Sequence, residues 1–128
     1  MKQITRSMED YLEAISIAAA KDGAARVTDV RKLLNVKTPS VSGALAVLAG
    51  AGLIEHQKYG RVHLTKEGAD IAQEIKKKHA LISKFLRDIV GVSPDTADID
   101  ACKIEHALSA ETFKKLTAFV QKHSKKLN

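Results

Sequence analysis

A mainly α-helical fold with one short β-hairpin is predicted for this chain by its composition and its hydrophobic periodicity. Only two prolines occur in 128 residues, and Ala, Leu, Ile, Lys and Glu are abundant, which favours helices. Aromatic residues make up 4% of the chain, so we expect an aliphatic core. Apolar side chains recur at helical spacing except in residues 53–65, where two short strand-like runs replace that pattern.

The charge of the chain suggests an anionic partner. The net charge is +6 and the isoelectric point is about 9.5. Nucleic acid is the usual partner, because its phosphates release counterions when they bind clustered Lys and Arg; the alternative is that the charge only maintains solubility.

A single cysteine cannot form an internal disulfide, so a cytoplasmic location is expected. We expect no signal peptide, and no apolar run approaches the ~18 residues of a membrane span.

Three helices are predicted in the first third of the chain. The first covers residues 4–21. Thr28 is the predicted N-cap of the second helix, and residues 35–37 form a tight turn before Thr38-Pro39 begins the third. The predicted inner face of the third helix consists of Val41, Leu45 and Leu48.

A hairpin follows these helices in "LIEHQKYGRVHLT" (53–65), around Tyr59-Gly60. Two helices joined by a tight turn and followed by a hairpin are typical of a winged helix-turn-helix. We therefore predict a winged helix-turn-helix DNA-binding domain over residues 1–65.

A helical domain is predicted over residues 66–122, with residues 123–128 as a frayed basic tail. Its long linking helix covers about 66–90 and carries a near-heptad apolar stripe. A shorter helix covers roughly 95–107, and a further helix follows it. The members of the stripe are Ile71, Ile75, His79, Ile82, Leu86 and Ile89.

The third helix is the expected DNA-reading element, because the second helix of a helix-turn-helix lies in the major groove. Its short side chains can contact phosphates, bases or a thymine methyl, and nearby cations can contact phosphates. For any one cation, a solvated surface charge is the alternative. The candidate DNA-binding residues are Lys37, Thr38, Pro39, Ser40, Ser42, Lys58 and Arg61.

The segment "DIDACKIEHALS" (98–109) places Cys102, Glu105 and His106 at i, i+3 and i+4. Thiolate, carboxylate and imidazole on one helical turn can bind a divalent first-row metal ion. Cys102 could instead be a small buried hydrophobe, or a nucleophile with His106 as its base. No oxyanion nest or orienting third residue supports the nucleophile, so we do not expect an enzyme.

Three further residues outside this segment can bind a metal. Asp10 and Glu13 have i, i+3 spacing on the first helix, and would complete a coordination shell if that helix packs on the helical domain. His79 lies within the apolar stripe. Surface carboxylates and a core histidine are the alternatives for these residues.

Four segments together resemble the diphtheria toxin repressor and manganese transport regulator family of metal-dependent repressors. They are "MEDYLEAI" (8–15), "TPSVSGAL" (38–45), "KKHALISKFL" (77–86) and "ACKIEHALS" (101–109). The resemblance implies a homodimer, joined through its C-terminal helices, that binds palindromic double-stranded operator DNA when loaded with Fe²⁺ or Mn²⁺ and represses metal-uptake genes. It also implies a short two-domain form without the SH3-like domain of longer members. The metal ligands that it implies are Asp10, His79, Cys102, Glu105, His106 and, in the manganese-responsive branch, Glu13.

The sequence combines features of both branches of that family. Asp10 and Glu13 match the manganese type, whereas Cys102 matches the iron type. Ser83 replaces a carboxylate of the iron-type ancillary site, and Asp98 replaces a histidine. We therefore expect a second site built from Glu13, His79 and shared carboxylates. The metal is expected to be Fe²⁺ or Mn²⁺, with a slight preference for iron, and Co²⁺, Ni²⁺ or Zn²⁺ as other candidates.

Our hypothesis is that the metal links the first helix to the helical domain. This link would hold two recognition helices about 34 Å apart, which is one turn of duplex DNA. The alternatives are a metal-independent winged-helix architectural protein and a zinc-type sensor of the same architecture.

Overall fold

The computed structural model describes residues 4–20, 23–57 and 60–127, with side chains as far as His123. The chain divides into two compact units, Met1–Gln73 and Glu74–Asn128. In the described ranges, no helix combines the length and the apolar character that a membrane crossing requires. The elements in chain order are α1 (Arg6–Ala19), β1 (Ala25–Arg26), α2 (Val27–Leu34), α3 (Thr38–Gly50), β2 (Ile54–Gln57), β3 (Arg61–Leu64), α4 (Lys66–Lys84), α5 (Pro94–Ile104) and α6 (Ala110–Leu127).

The first unit is a winged helix-turn-helix, as predicted. Asn35 ends α2 in the left-handed conformation, with φ 53° and ψ 51°, and so makes the sharp turn between α2 and α3. Strands β2 and β3 pair antiparallel, and β1 adds to the other edge of β3 in the order β1-β3-β2. Helices and sheet share one aliphatic core, formed mainly by Leu12, Ile15, Val30, Val41, Leu45, Leu48, Leu53, Ile54 and Val62.

Two predicted helix starts in this unit are wrong. Helix α2 begins at Val27 with Arg26 as its N-cap, because the preceding residues Ala25 and Arg26 pair with β3 and fix where the helix can start. Thr28 is therefore inside the helix. The N-cap of α3 is Lys37 and not Thr38, and Pro39 lies in the first turn, where its missing N–H has no intrahelical partner to lose.

Helix α4 is capped at its start by Thr65. The Thr65 hydroxyl accepts from Gly68 N at 3.2 Å and donates to Gly52 O at 2.7 Å. This side chain therefore caps the helix and also ties it to the loop after α3. The boundary between the two compact units lies within α4, after Gln73.

The second unit packs the remainder of α4 with α5 and α6. The predicted long helix stays α-helical only to Lys84, and residues Phe85–Val90 form a π-helical turn that ends at Gly91. Helix α5 ends at Ile104, earlier than the predicted 107. The ring of Phe85 meets that of Phe119 edge-on at 6.2 Å between centroids. Buried aliphatic side chains of this unit are Ile75, Ile82, Ala97, Ala101 and Val120.

Candidate metal centre

Three side chains that can bind a metal ion lie together at the end of helix α5. Cys102 is on the last turn of α5, Glu105 is the C-cap and His106 follows in the turn. One ligand atom from each residue lies within 4.8 Å of the other two. The three side chains stay close together although α5 ends at Ile104. The reason is that Glu105 keeps right-handed helical dihedrals and its N–H donates to Ala101 O at 2.9 Å.

The carboxylate of Glu105 is the buried centre of this cluster. Its side chain is 0% exposed, and that of His106 is 2% exposed. Oε1 of Glu105 lies 3.4 Å from Nε2 of His106, and Oε2 lies 2.8 Å from Nδ1 of His79. An ionised carboxylate withdrawn from water requires a cation or hydrogen bonds that compensate its charge, because an uncompensated buried charge is strongly destabilising. The protonated ring of His79, whose pKa is raised, can supply this compensation, and so can a bound cation.

His79 contacts a carboxylate with each of its ring nitrogens. Nδ1 faces Glu105, and Nε2 lies 2.6 Å from Oδ1 of Asp98. Burial of the ring lowers the pKa of His79, but the hydrogen bond to Asp98 and the charge of Glu105 outweigh burial and raise this pKa above its ordinary value of 6.5. His79 is thus held between two acids and is not a histidine enclosed by an apolar stripe.

The donor set suits a divalent transition metal. Ca²⁺ and Mg²⁺ prefer oxygen ligands alone, whereas thiolate, imidazole and carboxylate together bind first-row ions such as Fe²⁺, Mn²⁺, Co²⁺ or Zn²⁺. A dication would also neutralise the thiolate of Cys102 and the buried carboxylate of Glu105. The residues present therefore fit a divalent metal ion.

Two other predicted ligands lie on α1, in the first unit. Asp10 and Glu13 are half-buried and share a face of this helix because they are three residues apart. Their part in metal binding stays a prediction.

The residues predicted to contact DNA lie at the start of α3 and at the wing. The predicted inner face of α3 is confirmed, since Val41, Leu45 and Leu48 are buried. Arg61 is exposed at the start of β3, and Lys58 lies outside the described residues. The residues exposed around the first turns of α3 are Lys37, Thr38, Pro39, Ser40 and Ser42. Their contact with DNA stays a prediction.

Asp98 is a member of the site that the sequence analysis missed. From the sequence we identify Asp98 only as a replacement for a histidine, yet its carboxylate contacts Nε2 of His79 at 2.6 Å. Asp98 precedes Cys102 by four residues, so both lie on one side of α5. That i, i+4 spacing is the sequence signal that could have identified it.

Two consecutive parts of the chain, which together cover nearly all of it, match known family descriptions. Residues 3–62 match the family described as "Iron dependent repressor, N-terminal DNA binding domain". Residues 65–126 match "Iron dependent repressor, metal binding and dimerisation domain". The chain belongs to the iron-dependent repressor family. This family assignment confirms the resemblance found in the sequence and makes the domain that holds Cys102, Glu105 and His106 a metal-binding and dimerisation domain.

Individual relatives of this family member are transcriptional regulators. The chain is 40% identical to transcriptional regulator MntR of Escherichia coli over 119 residues, which are 93% of this chain and 76% of that protein. It is 34% identical over 125 residues to an uncharacterized HTH-type transcriptional regulator of Methanocaldococcus jannaschii, covering 97% of this chain and all of that protein.

Solved structures of this family share the fold. The protein described as "T. acidophilum IdeR" aligns with a TM-score of 0.76 and 28% identity over 91% of this chain. A "manganese-dependent transcriptional repressor complex with manganese" aligns with a TM-score of 0.82 and 26% identity over 89% of this chain. This family member spans about half the length of those two structures, 54% and 52% respectively.

Proposed function

We propose that this chain is a metal-dependent transcriptional repressor that binds operator DNA as a homodimer when it holds a divalent transition metal. The observation that carries the proposal is the buried cluster of Cys102, Glu105 and His106 within a metal-binding and dimerisation domain. The winged helix-turn-helix unit belongs to a DNA-binding family and supplies the surface for the operator. Metal-uptake genes are the proposed targets, and the cytoplasm is the proposed compartment.

Fe²⁺ and Mn²⁺ are the proposed physiological ions. Manganese is supported by two solved relatives whose descriptions name a manganese regulator and a manganese-dependent repressor. Iron is supported by the thiol of Cys102, because thiolate ligands select softer ions than Mn²⁺. The bound ion supplies positive charge, and the side chains of the cluster supply donors that become available when deprotonated.

The proposed ligands are His79, Cys102, Glu105 and His106 together with Asp10 and Glu13 of α1. The first four are supported by their mutual contacts, with Glu105 joining the two histidines. Asp10 and Glu13 are supported by the resemblance to the manganese-type members alone. If they are ligands, Asp10→Ala and Glu13→Ala each weaken the binding of Mn²⁺ in isothermal titration calorimetry, whereas Glu67→Ala, at an exposed acidic position in the first turn of α4, leaves it unchanged.

The DNA contacts are proposed from exposure and charge. Hydroxyls of Thr38, Ser40 and Ser42 at the start of α3 can reach phosphates or base edges, and Pro39 can pack on a thymine methyl. Lys37, just before α3, and Arg61, at the start of β3, are exposed cations, and Lys58 is proposed with them from its position in the sequence. Because no long amide or guanidinium side chain lies on the exposed start of α3, DNA shape is expected to contribute to sequence selection.

The function is tested by selecting DNA from a pool of random duplexes with the full chain under three conditions. The conditions are anaerobic Fe²⁺, Mn²⁺ and an excess of chelator. We expect a palindromic sequence to be enriched with one or both metals and not with chelator. Equal enrichment in chelator would instead support the metal-independent winged-helix protein. Enrichment with Zn²⁺ but with neither proposed ion would favour the zinc-type sensor.

A further inference from the structure

Two carboxylates, one buried and one exposed, contact the ring of His79. Glu105, which faces Nδ1 at 2.8 Å, has a side chain that is 0% exposed and belongs to the three-residue donor cluster. Asp98, which faces Nε2 at 2.6 Å, has a side chain that is 70% exposed. All of these residues lie in the second compact unit. The two nitrogens of one imidazole therefore face a buried donor cluster on one side and an exposed acid on the other.

A neutral imidazole can give only one nitrogen lone pair to a metal ion, and its other nitrogen carries a proton. In metalloproteins that N–H commonly donates to a carboxylate, which fixes the tautomer and the ring orientation. His79 has such a carboxylate on one side and a carboxylate of the donor cluster on the other. We propose that His79 binds the metal through Nδ1 and that Asp98 is a positioning residue, which holds the ring by accepting a hydrogen bond from Nε2–H. This inference rests on the proposed metal binding.

The distances support the Nδ1 assignment. Two donor atoms that bind one ion at about 2.1 Å and at a right angle to each other lie about 3.0 Å apart. Nδ1 of His79 and Oε2 of Glu105 are 2.8 Å apart, so the two atoms can bind the same ion with little movement. Among the residues that the structure describes, Glu105 has the further donors Cys102 and His106 nearby, and Asp98 is not in a cluster of three such donors. An ion at Nε2 would therefore have fewer ligands than one at Nδ1.

The assignment is tested on the full chain with Zn²⁺, a diamagnetic probe ion, and ¹⁵N-labelled histidine. Long-range proton–nitrogen correlation spectra distinguish a metal-bound ring nitrogen from a protonated one. The His79 signals are those that a His79→Gln variant lacks. We expect zinc-loaded wild type to show a metal-bound Nδ1 and a protonated Nε2 at His79.

Asp98 variants supply the second readout, the affinity for Zn²⁺ in calorimetric titration. Loss of an outer carboxylate of this kind costs about 10- to 100-fold in metal affinity, and exposure of Asp98 leads us to expect the lower end for Asp98→Ala. Asp98→Asn keeps an oxygen acceptor for Nε2–H and is expected to lose less. The matched control Asp95→Ala, an exposed acid on the same helix, should retain wild-type affinity.

The outcomes distinguish failure of the proposed role of Asp98 from failure of the proposed metal-dependent function. A metal-bound Nε2 at His79 in wild type, or wild-type Zn²⁺ affinity in Asp98→Ala, would overturn the role of Asp98 while zinc binding by the cluster stands. A wild-type chain that binds no Zn²⁺, Mn²⁺ or Fe²⁺ would overturn the proposed function and this inference with it. Because the spectra of wild type need no variant at Asp98, misfolding of Asp98→Ala does not prevent the test.

Discussion

The carboxylate of Glu105 lies between the imidazoles of His79 and His106 and has no exposure to solvent. A protein interior tolerates such a charge only if a cation or a set of hydrogen bonds compensates it. Without metal, the protonated ring of His79 can do so. In the proposed metal-bound state, the same carboxylate would be a ligand. If Glu105 binds the metal as proposed, metal occupancy and the stability of this unit are coupled at this residue.

We predict that metal stabilises the wild-type chain and that Glu105→Gln abolishes most of this effect. A ligand at about 100 times its dissociation constant adds about 2.7 kcal/mol to the free energy of unfolding if it binds only the native state. Thermal unfolding with Mn²⁺ and with chelator measures the difference. The control Glu111→Gln, an exposed acid in the first turn of α6, should keep the metal-induced increase in Tm. An undiminished increase in Glu105→Gln would contradict the role of this carboxylate.

The metal-free chain should also show a pH-dependent contribution from His79. The pKa of His79 is raised in the folded state, so its proton binds more tightly in the folded than in the unfolded chain. The resulting stabilisation is fully present below the unfolded pKa of about 6.5 and is lost as the pH rises through the folded pKa. The groups that face the ring are Asp98 and Glu105, both of which are negative when ionised.

The measurement is urea denaturation in chelator at several pH values between about 5.5 and 9. This range includes the ordinary pKa of histidine, about 6.5, and extends above it to include the raised pKa of His79. We expect wild type to exceed His79→Gln in stability at low pH, and we expect the gap to narrow as the pH rises. A gap that widens with pH would contradict the raised pKa.

At the scale of the elements, the start of α4 depends on a close approach to the segment after α3. Gly68 is buried, and a Cβ at this position would overlap the carbonyl oxygen of Leu53. The contact is to backbone, which cannot move aside as a flexible side chain can. This close approach allows Thr65 to bond both Gly68 N and Gly52 O.

Gly68→Ala should therefore lower the free energy of unfolding by about 1–3 kcal/mol, as overpacking of a filled site does. Gly43→Ala is the matched control, because Gly43 lies in α3 with nothing within 4 Å of an added Cβ. Alanine is the better helix former, so this control should gain about 0.5–1 kcal/mol. Urea denaturation in chelator measures both values. Equal effects of the two substitutions would show that the close approach at Gly68 is absent in solution.

Helix α3 gives a prediction about DNA. Lys37 is exposed and its side chain makes no capping hydrogen bond, so Lys37→Ala should leave the helix intact. If Lys37 contacts a phosphate, the variant binds all duplexes more weakly and the slope of log K against log salt decreases in magnitude by about 1. Fluorescence anisotropy with the selected duplex measures this slope. Lys84→Ala, an exposed lysine at the end of α4, is the control, and the idea fails if both variants show the same slope.

The sequence predicted the helices and the hairpin because their signals are local. Val41, Leu45 and Leu48 recur at helical spacing, and the strands of the hairpin flank a turn signal at Gly60. Strand β1 could not be predicted in this way. Its two residues are too few to show an alternating apolar pattern, and they pair with β3, which is distant in the sequence. The same pairing moves the start of α2 to Val27. The π-helical turn over Phe85–Val90 likewise has no apolar pattern that distinguishes it from a continuing α-helix.

The part of the candidate site whose residues are close together in the sequence could be predicted from the sequence. Cys102, Glu105 and His106 come together because they lie within one turn of the chain. The contact of His79 with Glu105 joins residues 26 positions apart and required the packing of α4 against the end of α5. The sequence alone does not distinguish Asp98 from other exposed acids, because its role depends on the position of His79 in the structure.

At the scale of the whole molecule, a DNA-binding unit and a metal-binding and dimerisation unit occupy one chain of 128 residues. The central claim is that metal occupancy in the second unit controls DNA binding by the first. Thermodynamic linkage requires that a metal which strengthens DNA binding is itself bound more tightly in the presence of DNA. Metal titrations with and without DNA should therefore give the same coupling free energy as DNA titrations with and without metal.

The most direct test compares wild type with a Cys102→Ala/His106→Ala variant in binding the metal-selected duplex. Anaerobic fluorescence anisotropy is measured in Fe²⁺, in Mn²⁺ and in chelator, with His123→Ala as a control for loss of a histidine outside the cluster. We expect metal to tighten DNA binding by wild type and by the control, by at least about tenfold for a coupling of 1.4 kcal/mol. We expect metal not to change DNA binding by the double variant. Equal DNA affinity of wild type and the double variant, with and without metal, would contradict it.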